Sequence, residues 1–179
     1  MTLSHIISNA PVENGNLQKA AEIILGLQEE LKTYIAQGAG PFLAAIYDDK
    51  YNLIAKAANS VVSSQCSNCH AEINVLQQAE AKLHTFDLAP HHLRLYVTAE
   101  PCLMCLGAIM WSGIETIYYG VPSKRVEEIT GFDEGFKPGW LDAFKKRGIT
   151  VYGNIEPQAG ENMLEEYVRT GHKIYKPSR

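Results

Sequence analysis

The sequence carries no excess of basic residues. Its 179 residues include 16 Lys and Arg against 20 Asp and Glu, which gives a formal net charge of −4. Proteins whose main partner is nucleic acid usually carry a basic excess, because phosphate neutralisation supplies much of their binding. The composition therefore argues against nucleic acid as the main partner.

The sequence also lacks long apolar runs. No stretch approaches the roughly 18 apolar residues that a membrane span requires, so we expect no membrane partner. The first 15 residues show no basic segment followed by an apolar stretch, the pattern of an export signal. We expect residues 1–15 to form a loose arm, the protein to be cytoplasmic, and its cysteines to stay reduced.

Internal repeats and low-complexity segments are absent, and the remaining pattern fits one domain over residues 1–179. Helical spacing begins at Leu17 and ends near Gly38, and strand-like alternation follows. The predicted elements are a β-hairpin at 41–58, helices starting near His70, at Pro101, near 123 and near 141, strands at 93–100, 114–120 and 149–153, and a last helix from Pro157 to Gly171. This order predicts an α/β fold with five strands in a mixed sheet and helices on both faces.

Cysteines are few, and all four lie in two C-x-x-C pairs, Cys66 with Cys69 and Cys102 with Cys105. Zinc ribbons separate such pairs by roughly 15–20 residues. Here 32 residues separate them and include a predicted helix and strand. A closed four-cysteine zinc site is therefore the less favoured interpretation.

The favoured zinc site uses His70, Cys102 and Cys105. Cys102 and Cys105 are three residues apart in the first predicted turn of an apolar, buried helix that begins at Pro101. Free backbone N–H groups there favour thiolates, the form that binds metal. Because His70 stands at the start of another predicted helix, it can complete three ligands. The fourth tetrahedral position is then left for a water or hydroxide.

Glu72 follows His70 by two residues and is positioned to act as a general base toward that water. The combined pattern H-x-E and P-C-x-x-C is typical of zinc deaminases of nucleobases. Cys66 and Cys69 then remain as spare thiols in a loop. Glu100 is expected to cap the cysteine helix or to support the cysteines.

The sequence resembles the cytidine and deoxycytidylate deaminase superfamily. The resemblance runs from "GAGPFLAAIYD" through "CHAEINVLQQAEAKL", "VTAEPCLMCLGAIMWSGIETIYYG" and "GFDEGFKPGW" to "RGITVYG". The resemblance implies a three-layer α/β/α sandwich, one Zn²⁺ per subunit and a homodimer. Within the superfamily the chain is most similar to bacterial guanine deaminases. We therefore expect hydrolysis of guanine, a small purine base, to xanthine and ammonia, in purine catabolism or salvage.

The segment "GFDEG" (131–135) matches a second carboxylate in that branch. Glu134 is the predicted catalytic residue, with Asp133 as the competitor, because a carboxylate accepts from guanine's N1–H and amine donors. The resemblance also implies base contacts from Asn59, Phe42 and Tyr175. Further contacts are expected from Ala99 and Glu100, and closure of the site by the C-terminal helix and tail, residues 157–179.

Other functions stay open on the sequence. A tRNA adenosine deaminase would share the zinc signature but would call for a basic face. Cytosine nucleosides or nucleotides would need contacts to ribose or phosphate, for which no motif is evident. An aminotriazine resembles guanine's ring edge and stands as another candidate. A non-enzymatic zinc scaffold would need Cys66 or Cys69 as the fourth ligand.

Overall fold

A computed structural model describes residues 14–176, so most of the predicted N-terminal arm, residues 1–13, lies outside the described residues. Its centre is a single five-stranded sheet in the order β2-β1-β3-β4-β5. The strands are β1 (Leu43–Tyr47), β2 (Leu53–Ala58), β3 (Arg94–Ala99), β4 (Thr116–Val121) and β5 (Thr150–Tyr152). β1 pairs antiparallel with β2 and β3, whereas β3, β4 and β5 run parallel, so the predicted mixed sheet is confirmed.

Seven α-helices and one turn of 3₁₀ helix at Ala89–His91 connect the strands within the described range. The helices are α1 (Asn14–Ala36), α2 (Val61–Ser64), α3 (Ala71–Leu83), α4 (Leu103–Ser112), α5 (Ser123–Thr130), α6 (Trp140–Lys146) and α7 (Pro157–Arg169). The short α2 and the 3₁₀ turn were not predicted, because elements of one turn carry no readable periodicity. No helix within residues 14–176 has both the length and the apolar character needed to cross a bilayer.

The two faces of the sheet are covered by different helices, which confirms the three-layer sandwich. Alternate residues of each strand point to opposite faces. Ala45 and Tyr96 join the apolar cluster under α1, together with Met163 of α7. Ala44 and Val97 join the larger cluster on the other face, where α3 and α4 pack. The functional residues discussed below gather around α3 and α4.

The cysteine helix differs from its prediction in two ways. α4 begins at Leu103, and Cys102 has extended backbone angles (φ −66°, ψ 169°), so Pro101 precedes the helix instead of opening it. The helix is not buried all round either: Cys105 and Ile109 face the core, whereas Leu103 and Trp111 are exposed. Apolar composition alone did not distinguish the core-facing side from an exposed apolar side.

Candidate active site

The N-termini of α3 and α4 bring the three predicted zinc ligands together. His70 is the residue before α3, with extended backbone angles, and Cys102 stands in the same position before α4. Cys102 Sγ lies 3.5 Å from Cys105 Sγ and 3.6 Å from His70 Nδ1. Tetrahedral zinc with bonds of about 2.0–2.3 Å separates its ligand atoms by about 3.5–3.8 Å. Both separations from Cys102 Sγ therefore suit a zinc ion, and all three ligand atoms lie within 4.8 Å of one another.

The four-cysteine alternative does not agree with this arrangement. Across residues 14–176, the group able to hold a metal consists of His70, Cys102 and Cys105, whose ligand atoms all lie within 4.8 Å of one another. Cys66 and Cys69 are partly exposed in the preceding loop and are outside that group. Three protein ligands leave one tetrahedral position for chemistry.

The electrostatic environment of the two thiols, Cys102 and Cys105, favours binding of a cation. The hydrogen bond between the two thiols, helped by His70, lowers the pKa of Cys102 to about 4 despite its burial. The same hydrogen bond and burial raise the pKa of Cys105, because a protonated Cys105 can donate to the Cys102 thiolate and burial disfavours a second charge. A divalent cation between the sulfurs would stabilise both as thiolates. Burial lowers the pKa of His70, but contact with Cys102 outweighs this and raises it overall.

Glu72 lies in the first turn of α3 and is only 6% exposed. Burial, and then the negative charge on Cys102, raise the pKa of Glu72 to about 7. A carboxyl group with a pKa near 7 can both accept and release a proton at neutral pH. Glu72 lines a small cavity together with His70 and Cys102. The geometry therefore suits the predicted general base.

Glu134 lines the same cavity from the segment between α5 and α6, which we call the Glu134 loop (131–139). Burial, and then the charge on Cys102, raise the pKa of Glu134 to about 8, while Lys137 opposes the shift. Its backbone is fixed at both ends: the Leu103 N–H donates to Glu134 O over 3.0 Å, and Glu134 N–H donates to the Glu127 carboxylate over 3.1 Å.

Asp133, the predicted competitor of Glu134, does not reach the cavity. The loop is extended here, so Phe132 and Glu134 point inward while Asp133 is exposed. Its Oδ1 instead accepts from the Gly135 N–H at 2.9 Å. The alternation of buried and exposed side chains favours Glu134 over Asp133.

Glu100 does not cap α4, whose N-terminal cap has no side-chain hydrogen bond. The Glu100 carboxylate accepts from the Ser123 N–H at the start of α5 (3.0 Å) and from Lys137 Nζ (2.8 Å), and support of the cysteines by Glu100 stays a prediction. Lys137 also donates to Pro101 O and to the Ser123 hydroxyl. Lys137 therefore fastens the Glu134 loop to the turn before α4. Local spacing carries no signal for this contact, because Pro101 and Glu100 are 36 and 37 residues away from Lys137.

Aromatic side chains from distant segments close the cavity. The Phe132 ring lies 5.5 Å from Phe42 and 4.8 Å from Tyr175, measured between centroids. Tyr175 also contacts the His70 ring, and its hydroxyl accepts a hydrogen bond of 2.7 Å from Asn59 Nδ2. Phe42, Ala99, Glu100 and Tyr175 line the cavity, whereas Asn59 is fully buried behind Tyr175. Phe132 was not singled out from the sequence.

The cavity measures about 20 Å³, which is room for about one water molecule and not for a purine ring. Tyr175 is the wall contributed by the C-terminal tail, which also holds a hydrogen bond from Tyr167 to Lys173 O. A ligand of purine size could reach the three zinc-ligand residues only after Tyr175 moved.

Residues 17–121 match the family model of the cytidine and deoxycytidylate deaminase zinc-binding region. The chain belongs to this family, and with its His/Cys/Cys group it is a zinc-binding hydrolytic deaminase. Among its relatives, the guanine deaminase of Bacillus subtilis (strain 168) is 36% identical over 128 residues, 72% of this chain and 70% of the relative.

Two further relatives are informative. The solved structure of a guanine deaminase from Nitrosomonas europaea superposes with a TM-score of 0.78 at 37% identity, covering 91% of this chain and 94% of that one. A tRNA-specific adenosine deaminase of Bacillus subtilis (strain 168) is 33% identical over 129 residues, 71% of this chain and 75% of the relative.

Proposed function

We propose that the protein deaminates guanine hydrolytically to xanthine and ammonia, within purine catabolism or salvage in the cytoplasm. The observation that carries this proposal is the second buried carboxylate, Glu134, which lines the same cavity as Glu72. Guanine presents two donors side by side, N1–H and the exocyclic amine, and the ionised form of Glu134 is the matching acceptor. These two donors favour the carboxylate and so oppose the burial that raises the pKa of Glu134 in the absence of a base. The similarity to two guanine deaminases supports the same substrate.

His70, Cys102 and Cys105 would hold one zinc ion per chain. A zinc ion held there would supply Lewis acidity that lowers the pKa of the water molecule attacking C2 of guanine. Glu72 removes a proton from the attacking water and returns it to the neighbouring ring nitrogen. Burial, the largest cause of its raised pKa, favours uptake of the proton by Glu72.

Glu134 binds the amine-bearing edge of the base and assists protonation of the departing ammonia. Phe42 and Phe132 present aromatic surface to the purine ring, and Ala99 offers its backbone. The Asn59 amide becomes available to the base once the Tyr175 hydroxyl has left it. The tail then closes over the bound base, in keeping with the aromatic contacts that Tyr175 makes now.

The test is ammonia release from guanine by the zinc-loaded protein, beside guanosine, adenine, cytosine, cytidine, deoxycytidylate and an aminotriazine. Glu72→Ala is expected to keep zinc and to lose about 10²–10⁴-fold in turnover. Glu80→Gln on the same helix, outside the cavity, is the matched control and should behave as wild type. Ammonia release from another compound but not from guanine would overturn the assignment of guanine as substrate and would leave the deaminase chemistry in place.

The tRNA adenosine deaminase relative favours a second candidate, a tRNA substrate. The formal net charge of −4 argues against it, because tRNA binding draws on phosphate contacts. A gel-shift with tRNA at physiological salt separates the two candidates. Tight binding and inosine formation would replace guanine with tRNA as the substrate.

We also propose that the protein is a homodimer that uses the exposed side of α4. Leu103, Met104 and Trp111 form an apolar strip on this helix, and Trp111 is 81% exposed. Phe136 of the adjoining Glu134 loop is also exposed. It lies near this strip, since the neighbouring Gly135 packs directly against Leu103. Such a continuous apolar surface is typical of a protein interface.

Light scattering measures this directly. The wild-type protein should have twice the chain mass of 19.8 kDa, and Trp111→Glu should shift it toward the monomer. Phe86→Glu, at an exposed aromatic residue between α3 and the 3₁₀ turn, is the matched control and should stay dimeric. A monomeric wild-type protein would overturn the proposal.

A further inference from the structure

The second C-x-x-C pair has no part in the proposed reaction. Cys66 and Cys69 lie in the loop between Asn59 and His70, both as free thiols and both partly exposed. By contrast, Cys105 is buried and Cys102 lines the cavity. Cys66 and Cys69 are therefore the two thiols that a small reagent in solvent meets first.

The backbone places these two cysteines at the right separation for a disulfide. The Cys69 N–H donates to Cys66 O over 3.1 Å, so residues 66–69 form a hydrogen-bonded β-turn. Such a turn keeps its first and last Cα atoms within about 7 Å, and disulfides span about 4.4–6.8 Å between Cα atoms. The Cys66 thiol now donates to Asn68 Oδ1 over 2.9 Å, within the same turn. The turn therefore brings the two Cα atoms into the range from which a disulfide can form.

The turn is held in place from both sides. Cys69 O accepts from the Ser60 N–H over 2.9 Å and from Asn74 Nδ2 over 3.3 Å. The Cys66 N–H donates to Val61 O over 3.2 Å. Because these bonds involve backbone atoms, they can persist when the two sulfurs join. His70, which follows directly, can keep its position beside Cys102.

A metal site is the weaker interpretation of this pair. Within residues 14–176, neither Cys66 nor Cys69 belongs to a group of three or more possible ligands. Two thiols without a third ligand make an incomplete zinc site. Two neighbouring thiols across a tight turn are instead the arrangement that favours intramolecular disulfide formation.

We propose that Cys66 and Cys69 are a redox modification site that forms a reversible disulfide with hydrogen peroxide or a low-molecular-weight disulfide as oxidant. With peroxide, one sulfur attacks an oxygen to give a sulfenic acid and one water, and the other sulfur then displaces a second water. One peroxide and two thiols thus become one disulfide and two waters. With a small disulfide, two exchange steps release two small thiols.

The experiment uses the full-length, zinc-loaded chain treated with increasing peroxide. Free thiols are then alkylated in denaturant with a chelator, and the chain is digested with trypsin. The sequence separates the two cysteine pairs, because cleavage after Lys and Arg puts Cys66 and Cys69 in peptide 57–82 and Cys102 and Cys105 in peptide 95–124. Zinc content is measured on the same samples before denaturation.

At low peroxide we expect peptide 57–82 to escape alkylation and to weigh less by two hydrogen atoms, and dithiothreitol to reverse this. Peptide 95–124 should take two alkyl groups, and the chain should keep its zinc. Cys66→Ser should abolish the loss of two hydrogens, whereas Ser67→Ala, within the same turn, should preserve it. These readouts are independent of the substrate, so failure of guanine turnover would leave the proposal standing.

Two results would overturn the proposal. One is peptide 57–82 taking two alkyl groups after peroxide in excess. The other is oxidation of peptide 95–124, with zinc release, at a lower dose than oxidation of peptide 57–82. Untreated Cys66→Ser with normal zinc and normal ammonia release would show that the variant is folded and that the comparison is valid.

Discussion

Glu72 and Glu134 are both buried carboxylates with raised pKa values in one cavity, but the chain holds them in different ways. Glu72 stands in the first turn of α3, whose residues Ala71, Val75 and Ala79 pack into the core. Glu134 stands on a loop, fastened by backbone bonds to Leu103 and Glu127 and by the Lys137 ammonium nearby. One residue is positioned by helix packing and the other by a few polar contacts.

This difference predicts two kinds of functional defect in substituted proteins. Substitutions on the α3 and α4 side remove the metal or the proton carrier and leave the other wall in place. Substitutions on the loop and tail side change the position of the Glu134 or Tyr175 side chain, because single hydrogen bonds and one ion pair hold these segments in place. We therefore expect zinc content to respond to the first side only.

The largest effect is expected from Cys102→Ala. It removes one of three zinc ligands, so zinc affinity should fall by more than about 100-fold, because loss of even an outer-shell partner costs 10–100-fold. Ammonia release should fall to background. Zinc is measured by elemental analysis after dialysis, and Cys66→Ala is the matched control that should keep it. A Cys102→Ala protein with a full complement of zinc would contradict the assigned ligand set.

The second effect tests the loop side through Glu134→Gln. The substitution keeps the shape but replaces a carboxylate, which only accepts, by an amide whose NH₂ group donates. One oxygen that matched guanine's two donors is thereby lost, so kcat/KM should fall by about 10²–10³-fold. Zinc content should not change. Asp133→Asn, one residue away and exposed, should stay within about twofold of wild type. Equal losses of kcat/KM in Glu134→Gln and Asp133→Asn would mean that the negative charge of the loop matters and that the position of Glu134 does not.

A smaller effect on activity is expected from Lys137→Met, which removes the fastening of the Glu134 loop. Lys137 and Glu100 are 8% and 12% exposed, so the substitution leaves a buried carboxylate without its cation. The free energy of unfolding should fall by about 3 kcal/mol. The activity should fall by about tenfold as Glu134 loses its position. Urea titration and kcat/KM measure the two effects.

The control for that prediction is Lys146→Met at an exposed position of α6, which should change neither quantity. Adding Glu100→Gln to Lys137→Met should restore part of the stability, because it removes the unpaired charge. It should not restore activity, since the loop remains unfastened. Full recovery of activity would show that Lys137 acts only through stability.

The smallest effect concerns the tail. Tyr175→Phe keeps the ring but removes the hydroxyl that accepts from Asn59. Because a hydrogen bond contributes about 1 kcal/mol, the KM for guanine should fall up to about fivefold, with kcat nearly unchanged. Steady-state kinetics measure both constants, with Tyr152→Phe on β5 as the control. A higher KM would indicate that the hydroxyl binds guanine itself.

The same contrast explains what the sequence could predict. The elements α3 and α4, and the pairing of Cys102 with Cys105, followed from local spacing. The addition of His70, 32 residues from Cys102, followed from the combined H-x-E and P-C-x-x-C pattern. The choice of Glu134 over Asp133 depends on which side of an extended loop faces inward. The Lys137 anchor depends on a contact across 36 or 37 residues. Local patterns carry no record of such tertiary contacts.

The bond between Asn59 and Tyr175 has a consequence for measured affinities. In the proposed reaction, Tyr175 of the tail lies in the space that guanine needs before guanine binds. The tail therefore competes with the substrate for the cavity. Only the fraction of molecules with an open tail can bind, and the apparent dissociation constant equals the intrinsic one divided by that fraction. The strength of one hydrogen bond near the C-terminus thereby sets the guanine concentration at which the enzyme works.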